Sequence, residues 1–321
     1  MRRVVSQEDL WALLKTGDSA AIRARYGDVM EVLSAALRGA IVASPGKQLY
    51  VADYASIEAR VLLWLADDYK ALDIFARGED IYCEMASEIY GRPITKADKD
   101  ERQLGKAATL ACGYGMGASK FVDTAAKAPY NITVAEDFAK RVVDAYRSKF
   151  YRVKQLWEEQ QATAIEAVHI PQETVTTAHV SWLYDDDEGF LFCTLPSGRR
   201  LAYPEPEVHA KLTPWGEYRD SLTFMGIDTR TRKWTRQFTY GGSIVENEVQ
   251  GIARDLLANA LLLCEQSGVY LPVLSVHDES ICEATAGDLQ EFIQLMTTLP
   301  DWAEGCPVAV DAWEGARYHK A

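Results

Sequence analysis

Apolar residues recur along this chain with two periods, and the points where the period changes mark its organisation. At the front, Ser6-x-x-Asp9 has the form of a capping box opening a helix over 10–15, with Gly17 as its stop. Two more helical runs follow, 19–26 ending at Gly27 and 29–38 ending at Gly39. Ile41-Val42-Ala43 leads into Pro45-Gly46, a strong turn dipeptide. Leu49, Val51 and Asp53 then alternate on one face of a strand, and Ser56 stands where it would cap the next helix.

From 56 to about 116 the helical period dominates, with Ile57, Val61, Trp64 and Leu65 as one stripe. Thr95-x-x-Asp98 has the form of a second capping box, opening a helix that carries Arg102 and Lys106. Residues 134–168 predict one or two long helices with a break near 148–151. Between 170 and 242 the texture becomes turns and β-prone segments, with a solvated Asp185-Asp186-Asp187-Glu188 run. A helix over 250–265 and a hairpin over 271–283, turning at His277-Asp278, precede a tail predicted helical from Asp288 and then irregular. This order predicts an α+β fold with a helical insertion between about 66 and 170.

Composition changes this picture little. With 321 residues, 48% hydrophobic and 25% charged, the chain has the make-up of an ordinary globular protein. A net charge of -13 argues mildly against binding nucleic acid, although carboxylates gathered for metal ions lower net charge while local basic stretches still grip phosphates. No apolar run approaches the roughly 20 residues of a membrane span, and the start has no signal-peptide pattern. Six cysteines scattered without a C-x-x-C pair read as core thiols of a cytoplasmic protein with no membrane partner.

The candidate chemistry lies in two acidic stretches 225 positions apart, Val51-Ala52-Asp53-Tyr54 and Val276-His277-Asp278-Glu279. Each places a carboxylate at the end of a short apolar run. A lone Asp there is usually a turn former, but a pair brought together from distant strands suits two Mg²⁺ ions in phosphoryl or nucleotidyl transfer. Between them Arg102, Lys106, Leu110 and Tyr114 recur every four residues. Two cations beside an apolar and an aromatic side chain, with Gly113 and Gly115 leaving the backbone bare, make the layout of a nucleotide site. The competing reading is a solvated basic stripe. Arg199-Arg200 and the basic run from Arg230 to Arg236, with Trp234 inside it, are candidate DNA contacts or simply charged turns.

These stretches resemble family A DNA polymerases, particularly phage-type members. Asp53-Tyr-Ala-Ser-Ile-Glu58-Ala-Arg60 is similar to the family's first motif; Arg102, Lys106, Tyr114 and Gly115 to its second; His277-Asp278-Glu279 to its third. The segment from Tyr240 through Asn247 and Gln250 to Asp255 resembles the family's glutamine helix. The resemblance implies a palm, a small antiparallel sheet with packed helices, formed by 1–65 and 171–321 around mainly helical fingers of 66–170. It implies two Mg²⁺ held by Asp53, Asp278 and the Tyr54 carbonyl, with Glu279 as accessory acid. It places the incoming dNTP on Arg102 and Lys106, borders the nucleoside with Leu110 and Tyr114, makes Glu58 the gate against a 2′-hydroxyl, and puts Asn247, Gln250 and His277 on primer-template DNA. Leu110 stands where the family usually has an aromatic, and Tyr82 where a phosphate-binding His is common. The 52 residues before Asp53 are too few for the exonuclease-like domain and helical thumb expected there, so a partner chain supplying those functions, or a remnant that only binds nucleotide and DNA, is the alternative to a self-sufficient enzyme. A metal-dependent nuclease fits the acids but not the Arg102–Tyr114 segment.

Overall fold

The computed structural model describes residues 7–212 and 216–319; Ser6, the first half of the first capping box, lies outside them. Three short helices open the chain: α1 (Gln7–Lys15), α2 (Ser19–Tyr26) and α3 (Val29–Ala36). Strand β1 (Gln48–Tyr54) follows, then seven helices: α4 (Ile57–Leu65), α5 (Tyr69–Ala76), α6 (Ile81–Tyr90), α7 (Lys99–Cys112), α8 (Ala118–Ala126), α9 (Glu136–Lys149) and α10 (Tyr151–His169). Seven strands come next: β2 (Thr174–Thr176), β3 (Ser181–Asp185), β4 (Phe190–Thr194), β5 (Arg200–Pro204), β6 (Glu207–Leu212), β7 (Tyr218–Ile227) and β8 (Trp234–Phe238). The chain closes with α11 (Gly241–Gln266), β9 (Leu271–Val276), β10 (Glu279–Ala284), α12 (Leu289–Thr297) and β11 (Val310–Gly315). The fold is α+β with small antiparallel sheets, as the periodicity predicts.

Two compact units form. The first takes the described parts of 1–55, 257–298 and 309–321. Its four-stranded sheet has the order β11-β1-β10-β9, so β1 is flanked on both sides. β1 alternates little in burial, and Leu49 and Val51 pack with Ile281 and Tyr318 beneath Trp313. Tyr50 meets Phe292 of α12 edge-on, and the Tyr54 hydroxyl donates to the Met296 carbonyl at 2.6 Å. Leu10, Ile22, Val32 and Ala36 form a separate core among α1–α3, where Asp18 and Asp28 cap α2 and α3.

The second unit takes 56–256 and 299–308. It holds α4–α10, the sheets β2-β3-β4-β5 and β6-β7-β8, and the start of α11. Gly105 allows α6 and α7 to approach closely, since a Cβ there would collide with the Tyr82 carbonyl oxygen. Trp182 on β3 donates to Gln160 of α10 at 2.9 Å, which satisfies both polar groups in the core.

Several local expectations need correction. Ser56 precedes α4 but does not cap it: its φ is 55°, and its hydroxyl donates instead to the Tyr82 hydroxyl at 3.0 Å. Thr95 and Asp98 do hydrogen-bond, yet α7 starts at Lys99, so Asp98 closes a turn before the helix rather than filling its third position. α3 stops at Ala36, and α11 begins nine residues earlier than 250 because its Gly241-Gly242 start packs into the unit. The irregular tail contains a strand, β11, which pairs with β1. All six cysteines are buried free thiols. Among the described residues, no helix is long and apolar enough to cross a membrane.

Candidate active site

In the first unit the strands gather acids at one end of the sheet. Asp53 is in register with Glu279 on β10 and with Asp311 on β11. Directly opposed residues share a face, so three carboxylates form one row across three strands. His277 and Asp278 make the two-residue turn joining the paired residues Val276 and Glu279, as the pattern predicts. His277 takes φ 55°, the positive value such a turn demands and one that His tolerates better than most side chains. The turn sets Asp278 beside β1, where its carbonyl accepts from the Tyr54 N–H at 3.2 Å.

Glu279 is anchored separately, accepting from the Tyr318 hydroxyl at 2.6 Å. Burial, then the Glu279 carboxylate, push the Tyr318 pKa up to about 12, so it remains a donor at neutral pH. Among the described residues no three carboxylate, imidazole or thiol groups converge as a complete metal cage. The donors gathered at this end of the sheet, Asp53, Asp278, Glu279 and Asp311, are all carboxylate oxygens. That sparse, hard set fits Mg²⁺, which keeps waters and takes further ligands from substrate phosphates.

The second unit gathers cations around one ring. Arg102 and Lys106, one turn apart on α7, lie 5.4 and 5.6 Å from the centroid of Tyr82 on α6. Asp80 ties the group together. One carboxylate oxygen caps α6 through the Tyr82 and Cys83 N–H groups, and the other receives Arg102 at 2.7 and 2.9 Å. Leu110 follows on the same helix, half-buried. Tyr114 does not. α7 ends at Cys112, so the expected four-residue stripe holds for three members, and Tyr114 is placed by the turn after the helix.

That placement is tight. A Cβ on Gly242 would strike the Tyr114 carbonyl, and the Tyr240 hydroxyl donates to the same oxygen at 3.2 Å. The Tyr114 hydroxyl donates to Glu58 at 3.3 Å. Burial, then the Glu58 charge, hold its pKa well above the ordinary tyrosine value, so the donor persists. On α11, Asn247 and Gln250 are exposed and one turn apart, with Asn247 also donating to the Tyr203 hydroxyl at 3.2 Å. The intervening Glu248 is buried, with one oxygen lacking any hydrogen-bond partner.

The basic candidates divide. Arg199, though exposed, is engaged within the chain by Asp255 at 2.6 Å and the Gly251 carbonyl at 2.7 Å. Arg200 lies over the Phe192 ring, and Arg236 pairs with Glu207 at 2.6 Å. Arg230, Arg232 and Lys233 remain at the β7–β8 turn. Asp80, Asp311 and Tyr318 escape the sequence reading; only Asp80 carries a local signal, as an acid just before a helical run.

The comparisons with known proteins bear on the same segments. Residues 28–182, which contain Asp53, Glu58, Asp80, Arg102 and Lys106, match the model of DNA polymerase family A. Over that stretch the chain is similar to this family. The DNA polymerase of Bacillus phage SP02 is 36% identical over 312 residues, spanning 96% of this chain and 47% of that protein. DNA polymerase I of Pseudomonas aeruginosa is 26% identical over 292 residues, 89% of this chain and 26% of its own length. The chain thus spans about half the phage relative and about a quarter of the bacterial one. The polymerase domain of Pol1 from M. smegmatis, solved with DNA primer-template and dNTP, superposes with a TM-score of 0.54 at 20% identity, covering 88% of this chain and 42% of that one; the likeness is one of fold.

Proposed function

We propose that the chain catalyses template-directed DNA synthesis, in which a primer 3′-hydroxyl attacks the α-phosphorus of a dNTP and pyrophosphate leaves. The observation that carries this reading is the meeting of Asp53 with the His277-Asp278 turn in a chain similar to family A polymerases. Asp53, Asp278 and the Tyr54 carbonyl would hold two Mg²⁺ ions, which when bound supply activation of the nucleophile and neutralisation of the leaving group. Glu279, fixed by Tyr318, is the accessory acid. Arg102 and Lys106, held against Tyr82, bind the triphosphate and take up charge that grows on the leaving pyrophosphate. Leu110 and Tyr114 border the nucleoside, and Glu58, gripped by Tyr114, closes the space a 2′-hydroxyl would need.

In this reading Asn247, Gln250 and His277 touch the primer-template duplex. The palm is 1–65 and 171–321, and the fingers are 66–170, a stretch in which every described element, α5 to α10, is a helix. The test is primer extension by the purified chain, wild type against Asp53→Asn. Mg²⁺-dependent, template-complementary extension by the wild type alone is the expected result. Binding of dNTP and DNA without extension, relieved by a second polypeptide, would replace it with the partner-dependent reading; primer degradation without nucleotide would replace it with a nuclease.

A further inference from the structure

The far end of the β7–β8 hairpin takes no part in the chemistry proposed above, yet it is built to hold cations outward. The Asp228 N–H donates to the Lys233 carbonyl at 2.9 Å and its carbonyl accepts from the Arg232 N–H at 2.8 Å, closing a tight loop over 229–232. The Asp228 carboxylate is turned inward, accepting the N–H groups of Arg230 and Thr231 at 3.1 and 2.6 Å, and these bonds hold its pKa below the usual value. The one acid of the tip is therefore occupied by the backbone. Arg230, Arg232 and Lys233 have no ion-pair partner among the described residues, in a chain whose net charge is -13.

Two further features mark this tip. Arg232 sits at φ 57°, a left-handed position where glycine would be relaxed, so a charged side chain is kept at a conformational cost. Immediately below it, Ile227 and Trp234 face each other across the strands and are 62% and 56% exposed. Trp234, Arg236 and Phe238 alternate along β8 and so share a face, with Arg236 fixed by Glu207. An exposed indole at the foot of three unpaired cations combines a stacking surface with phosphate neutralisation, the pairing that holds single-stranded nucleic acid.

We infer that the β7–β8 tip is a single-stranded DNA contact, in which Trp234 stacks on a base and Arg230, Arg232 and Lys233 take the adjacent phosphates. The inference rests on the polymerase reading only for the strand being DNA.

The test is equilibrium binding of a labelled oligo-dT 20-mer to the full chain, without Mg²⁺ or dNTP, at several salt concentrations. Trp234→Ala is expected to weaken binding by roughly 5- to 150-fold, the range produced by losing one base–aromatic stack. Tyr218→Ala, which removes a still more exposed aromatic at the opposite end of β7, is expected to leave it unchanged. Replacing Arg230, Arg232 and Lys233 by Gln is expected to flatten the slope of log K against log salt by about 2, from about 0.7 per phosphate contact. Arg232→Gly separates binding from folding: the left-handed position favours glycine, so the melting temperature is expected to hold or rise while the slope falls by about 0.7. Unchanged affinity and slope in Trp234→Ala and the triple variant would overturn the inference, as would equal losses confined to a blunt duplex. Trp234-dependent binding by a chain that extends no primer would leave this inference standing and sink the polymerase reading instead.

Discussion

Asp53 faces Asp311 across the β1–β11 ladder, on the side opposite its pairing with Glu279. The central acid of the row is thus flanked by carboxylates on both neighbouring strands. Like charges directly opposed in a sheet repel, and that repulsion is what a divalent cation bound there would relieve.

Asp53→Asn should therefore separate activity from stability. Extension is expected to fall below detection, a loss of several kcal/mol of transition-state stabilisation, while the melting temperature without Mg²⁺ holds or rises. Asp278→Asn should lose extension in the same way. Asp311→Asn should raise the metal-free melting temperature alone. Thermal melts with and without Mg²⁺, beside primer extension, read all three; near-wild-type extension by either of the first two would refute the assignment.

Glu58 is held by the Tyr114 hydroxyl, so the gate proposed for it would have two parts. Glu58→Ala should raise ribonucleotide use relative to deoxynucleotide by about tenfold or more, since it opens space for one hydroxyl. Tyr114→Phe keeps the ring but releases the carboxylate and should give a smaller change in the same direction. The measurement is the ratio of kcat/KM for the two nucleotide types. An unchanged ratio in Glu58→Ala would remove it from the role.

Lys106→Ala should raise KM for dNTP and lower kcat, because a contact that tightens as charge moves to pyrophosphate contributes to both. Arg102→Ala should do the same and also destabilise the fold, by about 1.5–3 kcal/mol, since it leaves the shielded Asp80 carboxylate without its cation. Normal turnover in both variants, by steady-state kinetics, would reduce the pair to a structural feature of α7.

Glu248 predicts a pH dependence. Full burial raises its pKa to about 8, with the Cys193 thiol as its sole hydrogen-bond partner among the described residues. The folded value lies above the unfolded one. Its contribution is therefore complete at pH below about 4.5 and is lost as pH rises through about 8, because the unfolded chain releases the proton first. Stability should decline across that window by a few kcal/mol. Glu248→Gln should flatten the decline, which denaturant melts at pH 5, 6.5 and 8 would measure. A variant with the wild-type slope would assign the pH effect elsewhere.

Much of this was legible in the sequence because the signals were local. The alternation through Leu49, Val51 and Asp53, and the two polar residues between the apolar runs at 271–276 and 279–284, place Asp53 and the Asp278 turn correctly. Ser56 misled because capping depends on a backbone angle the residue type does not reveal, and its hydroxyl found Tyr82 instead. β11 was hidden for a related reason: Val310-Asp-Ala-Trp-Glu-Gly315 is an edge strand, and its acids read as loop until β1 supplies the partner. Tyr114 belongs with Glu58 through a turn pinned by Gly242, a contact 128 positions along the chain that no helical period encodes.

The flanking of β1 on both sides makes the two candidate metal ligands mechanically unequal. Asp53 rides on a strand whose backbone is stitched to two neighbours, so its α-carbon is a fixed reference point. Asp278 hangs from a two-residue loop at the mouth of a hairpin whose outer strand is an edge, and a single carbonyl bond to Tyr54 steadies it. One carboxylate is the anvil and the other the adjustable jaw. Amide exchange should register the difference, slow at Asp53 and fast at His277 and Asp278, until a bound ion slows the turn as well.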